Sequence, residues 1–111
     1  MIIEERHLKM VQDILKKYPY NFFAFGSRVH GKPRKFSDLD ICFFEKVPFS
    51  VQSHIDEDFE ESYLPFTVDL VDWNLTGDDF KNAIKNDLVC IQKTETYPEI
   101  QALIDAYKTK K

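Results

Sequence analysis

The stretch FAFGSRVHGKPRKFSDLDICFF, Phe23–Phe44, begins and ends like buried β-strand, yet between those ends it holds Gly26-Ser27, Gly31, a run of basic residues and the aspartates Asp38 and Asp40. Bulky aromatic residues running up to a glycine predict one strand over Tyr20–Phe25. Asp38–Glu45 is predicted as a second strand. Alternate residues of a strand share a face, so Asp38, Asp40, Cys42 and Phe44 fall on one side and Leu39, Ile41 and Phe43 on the other, in the core. At a rise of ~3.3 Å per residue the two aspartate Cβ atoms lie about 6–7 Å apart, a spacing that suits carboxylates flanking a divalent cation. Without a cation they repel, and one of them raises its pKa.

The glycine–serine pair supplies the complementary half. Gly26, directly after a strand, lets backbone approach a ligand closely. Ser27–His30 is predicted as one helical turn capped by Ser27, whose N–H groups and positive dipole end suit a phosphate. Arg28, Lys32, Arg34 and Lys35 gather four of the chain's 15 lysines and arginines at this point, as an incoming anion would require. Oxygen ligands of this kind favour Mg²⁺, held by a few carboxylates together with substrate phosphates. A third carboxylate is expected on the later strand FTVDLVD, Phe66–Asp72. Asp69 is mid-strand, where a charge is costly unless paired or metal-bound, whereas Asp72 sits at the strand end, where a turn can solvate it. Asp69 is the preferred candidate.

Outward from this centre, Leu8, Val11, Ile14, Leu15 and Tyr18 recur at helical spacing, closed by Pro19. Val51, Ile55, Phe59 and Tyr63 mark a second helix, with Asp56–Glu61 read as its solvated acidic face. Thr76 with Asp79 resembles a capping box for a helix carrying Phe80, Ala83 and Ile84. Leu88–Gln92 reads as a short edge strand. Thr96 with Glu99 resembles a second capping box, opening a last helix with Ile100, Leu103, Ile104 and Tyr107 inward. Trp73 reads as core or rim packing, and Asp78 and Asp79 as charges at a helix N-terminus. The pattern is α/β (α+β): a small mixed sheet with helices packed against it.

At 111 residues the chain is expected to form a single domain over 1–111. Its 43% hydrophobic content and ten phenylalanines support a packed core. A net charge of −4 argues against direct nucleic-acid binding, which needs a basic footprint. The charged N-terminus, MIIEERHLKM, does not read as a signal peptide, and no apolar run suits a membrane span. Cys42 and Cys90 read as reduced thiols, so the expected location is cytoplasmic.

Gly26-Ser27, Asp38-Leu39-Asp40 ten residues on, and Asp69 on a later strand together resemble the DNA polymerase β-type nucleotidyltransferase superfamily. FAFGSRVHGKPRKFSDLDI and FTVDLVDW are similar to its minimal nucleotidyltransferase group, and the likeness covers nearly the whole chain. The resemblance implies the nucleotidyltransferase fold, Mg²⁺ (two ions) held by Asp38, Asp40 and Asp69, and ATP as substrate, its triphosphate on Gly26 and Ser27 with Arg28 beside them. It also implies a HEPN-family RNase toxin as partner in a hetero-oligomer. The chain would then be an antitoxin that transfers AMP to a tyrosine hydroxyl of the toxin, with Trp73 and Tyr63 as candidate interface anchors. A non-catalytic module that masks the HEPN protein stoichiometrically is the alternative. Transfer to a small molecule is disfavoured, since no second lobe is read in the sequence.

Overall fold

The structure is a computed structural model that describes residues 1–29, 31 and 37–109; the basic loop positions His30, Lys32, Arg34 and Lys35 lie outside the described residues. Helix α1 (Glu5–Leu15) leads into strands β1 (Phe22–Phe25) and β2 (Leu39–Phe43), then helix α2 (Phe49–Glu60) and strand β3 (Val68–Asp72). A 3₁₀ turn (Trp73–Leu75), helix α3 (Asp78–Ile84), strand β4 (Val89–Gln92) and helix α4 (Tyr97–Lys108) complete the chain. The sheet is mixed, in the order β3-β2-β1-β4, with β1 antiparallel to both its neighbours and β2 parallel to β3. The expected α/β class and small mixed sheet are borne out.

The alternation along the strands divides the apolar residues into two cores. Phe22, Ala24, Leu39, Ile41 and Phe43 pack against Val11 and Leu15 of α1 and Ile55 and Phe59 of α2. Phe23, Phe25, Cys42 and Phe44 pack on the other face against Trp73, Ile84 of α3, and Ile100 and Ile104 of α4. All four residues of β1 are buried, because helices cover the sheet centre on both sides. Cys42 is buried, and both cysteines are free thiols. Burial pushes the Cys42 thiol far above its usual range.

Buried polar side chains lock one end of the sheet. Asn21, fully buried, donates through its backbone N–H to Glu45 Oε2 at 2.7 Å and through its amide to Thr94 and Thr96 Oγ1 at 3.0 and 2.9 Å. Its Oδ1 accepts the Thr94 N–H at 2.8 Å. These bonds tie the start of β1 to the end of β2 and to the link between β4 and α4. The amide of Gln92 donates to the carbonyls of Leu15, Tyr18 and Tyr20, tying β4 to the end of α1 and the segment that follows it.

Several sequence expectations are corrected. Tyr63 lies beyond α2 and is 95% exposed, while Leu103 points outward from α4. Thr76 does not cap α3: its hydroxyl donates to the Trp73 carbonyl and closes the 3₁₀ turn, and Gly77 takes the cap position. Thr96 stands at the N-cap of α4, but its hydroxyl accepts from Asn21 and makes no capping bond. Ser27–Val29 forms a hydrogen-bonded turn, closed by the Val29 N–H on the Gly26 carbonyl at 3.0 Å, in place of the expected helical turn. Trp73 is buried against Phe44 and Tyr107, as the packing reading expected, so it is no surface anchor. Among the described residues no helix is long and apolar enough to cross a membrane.

Candidate active site

The site forms where β1 ends and β2 and β3 begin, away from the Asn21 lock. Phe25 pairs with Asp40 across β1 and β2, and Asp40 pairs with Asp69 across β2 and β3. Paired residues share a face, so Asp40 and Asp69 are neighbours on the α3–α4 side of the sheet. Asp38, two residues before Asp40, joins them on that face from just outside β2. Asp38 and Asp69 are exposed and Asp40 is partly buried.

Gly26 completes the arrangement for two reasons. Its φ of +86° favours glycine, and a Cβ at this position would run into the Asp40 carboxylate. The carboxylate therefore lies in the space that the missing side chain leaves, directly against the turn that carries Ser27. The sequence places glycine and aspartate 14 positions apart; the β1–β2 pairing brings them into contact.

The carboxylates repel one another. Burial first, then the charges of Asp69 and Asp38, push Asp40 from 3.8 up to about 6. Asp69 is raised by burial, by the Asp38 charge and by a hydrogen bond with the Asp38 carboxyl. At the edge of β3 a cleft of about 750 Å³ opens toward α2, with Asp56, Glu60, Thr67 and Asp69 in its lining. Asp56 is raised by burial, then by Glu60 and Asp69. The acidic face of α2, read from the sequence as solvated, thus contributes to the electrostatics of the site. Its helical spacing carried no sign of this, because the contact depends on where α2 crosses β3.

Asp72 is separated from the cluster. It lies on the other face of β3, and its carboxylate accepts the Asn74 N–H at 3.0 Å to cap the 3₁₀ turn. Arg28, expected beside a phosphate, is buried instead. Its guanidinium donates to the Ser37 carbonyl at 2.9 Å and the Ile2 carbonyl at 3.3 Å, and lies 4.3 Å from the centre of the Phe66 ring.

A hard divalent cation fits this donor set, since three mutually repelling carboxylates on one face are relieved by positive charge. Among the described residues no three acidic, histidine or cysteine side chains form a ready-made metal cage. Mg²⁺ does not need one: it commonly takes one or two carboxylates and completes its shell with substrate phosphates and water.

Residues 9–97 match the family described as Polymerase beta, Nucleotidyltransferase. Over 97 residues the chain is also 41% identical to a Haemophilus influenzae protein named "Probable protein adenylyltransferase MntA", an alignment covering 84% of this chain and 85% of that protein.

Proposed function

Because this chain belongs to the polymerase β-type nucleotidyltransferase family and is similar to a protein named "Probable protein adenylyltransferase MntA", we propose that it transfers AMP from ATP to a hydroxyl of a partner protein. The observation that carries the proposal is the Asp40 carboxylate seated against Gly26 and in register with Asp69. That arrangement puts a phosphate-binding turn and acidic ligands side by side on rigid strands.

The triphosphate of ATP docks on Gly26 and Ser27. Asp38, Asp40 and Asp69 would hold Mg²⁺, two ions, which would supply the charge that neutralises the phosphates. Asp69, exposed beside Asp40 on the α3–α4 face, orients the acceptor hydroxyl and takes its proton. The hydroxyl oxygen attacks the α-phosphorus in line, the bond to the bridging oxygen breaks, and pyrophosphate leaves. Positioning and electrostatics supply the catalysis.

The acceptor is a tyrosine of a HEPN-family RNase toxin, and modification silences it, so the chain acts in the cytoplasm as an antitoxin in a hetero-oligomer. Support comes from the likeness to MntA and from the open cleft beside Asp69. Titration calorimetry tests the nucleotide site. ATP should bind with Mg²⁺ and bind at least about tenfold more weakly in EDTA or after Asp40→Asn. Equal affinity in all three conditions would remove the carboxylate site from the account.

A further inference from the structure

We propose that Arg28 is a positioning residue that clamps together the three chain segments carrying the nucleotide site, and that it does not contact the phosphates. The proposal rests on the nucleotide-site reading above. Arg28 itself belongs to the turn that follows Gly26 and Ser27. Its Nε donates to the carbonyl of Ser37, the residue before Asp38, at 2.9 Å. Its guanidinium lies 4.3 Å from the ring centre of Phe66. Phe66 is followed by Thr67, whose carbonyl accepts the Leu39 N–H at 2.9 Å, and then by β3 with Asp69. One planar cation thus touches the phosphate turn, the approach to Asp38 and the approach to Asp69.

The N-terminal segment holds Arg28 from a further side. The Ile2 N–H donates to the Arg28 carbonyl at 2.5 Å, and Arg28 Nη1 returns a bond to the Ile2 carbonyl at 3.3 Å. A clamp is needed here for a structural reason. Asp38 precedes β2, so the ladder does not fix it, and β3 is an edge strand paired only with β2 among the described residues. Three repelling carboxylates would otherwise drift apart. A buried cation has to be hydrogen-bonded, and the fixed fork of a guanidinium can bond two carbonyls while lying on an aromatic face. An ammonium is a compact point charge with no flat face, so it cannot bond the carbonyls in this fixed geometry and stack on the ring at the same time.

Amide hydrogen exchange, read by mass spectrometry on the full chain, tests the clamp without nucleotide. In Arg28→Lys and Arg28→Met, exchange at Ser37–Asp40 and Phe66–Asp69 should quicken by about tenfold or more, while the amides of β1 and β4 stay as in wild type. Mg²⁺–ATP affinity should fall about tenfold in both variants, with no rescue by lysine. Unchanged exchange in those two segments, loosening of the whole sheet, or near-complete rescue of affinity by lysine would each overturn the proposal. Should the Arg28 variants fail to fold, Phe66→Leu serves instead. A rise confined to the same two segments supports the clamp, and no rise or a general one overturns it. Failure of the wild-type protein to bind Mg²⁺–ATP would sink the nucleotide reading, while the exchange measurement would still decide the role of Arg28.

Discussion

At the scale of single residues, the site is built from groups that would be disfavoured elsewhere. Gly26→Ala places a Cβ where the Asp40 carboxylate lies and forces a side chain on a residue at φ +86°. It should destabilise the protein by roughly 1–3 kcal/mol and abolish measurable Mg²⁺–ATP binding, as denaturant titration and calorimetry would report. Asp40 acts in the opposite sense. Its pKa is raised in the folded state to about 6, so the metal-free protein has its full stability below the ordinary value of 3.8 and loses some as pH rises through about 6. Asp40→Asn should therefore be more stable than wild type at pH 7.5 in EDTA, by about 1 kcal/mol once solvent screening of a half-buried group is allowed for. The difference should vanish near pH 4. A wild-type protein that is the more stable of the two at pH 7.5 would contradict the mutual repulsion. Asp69→Asn should keep the circular dichroism spectrum and most nucleotide binding but lose transfer by about 100-fold or more. The grouping of the glycine and the three acids was legible in the sequence because each interrupts or borders an otherwise apolar strand pattern. The orientation of Arg28 was not, since spacing carries no information on which way a long side chain turns.

At the scale of elements, the two-residue period of β2 was enough to assign its faces. Asp40 and Cys42 do lie opposite Ile41 and Phe43, because a buried strand leaves one register open to its apolar set. Element ends were less legible. Thr76 and Asp79 carry the spacing of a capping box, but the Thr76 hydroxyl is already bonded within the 3₁₀ turn, a segment with no periodic signal. Tyr63 continued the helical spacing of α2 past the point where the chain leaves the helix. The Asn21 network was missed because its partners, Glu45, Thr94 and Thr96, come together only through the sheet. Asn21→Ala keeps the backbone N–H on Glu45 but strips the Thr94 N–H of its acceptor and the Thr94 and Thr96 hydroxyls of a donor, and should cost about 1–3 kcal/mol in urea unfolding. The network lies at the end of the sheet remote from Gly26 and Asp40, so Mg²⁺–ATP affinity measured well below the melting temperature should stay within about twofold of wild type. A proportionate loss of affinity would show that the two ends are coupled.

At the scale of the whole molecule, helices cover both faces of the sheet centre and leave the β2–β3 corner uncovered. Asp38 and Asp69 are exposed there, and the cleft toward α2 gives a large acceptor room to approach. This layout separates an enzyme from a masking module. A module neutralises its partner only while bound, whereas an adenylyltransferase leaves a covalent change behind. The most direct measurement is the intact mass of the proposed HEPN partner. It should be taken after incubation with this chain and Mg²⁺–ATP, followed by separation of the two proteins. The account predicts a gain of whole AMP units, located on tyrosine, with RNase activity lost after separation and with no gain when Asp38→Ala and Asp40→Ala are combined. An unmodified partner that is silent only while the complex persists would contradict it.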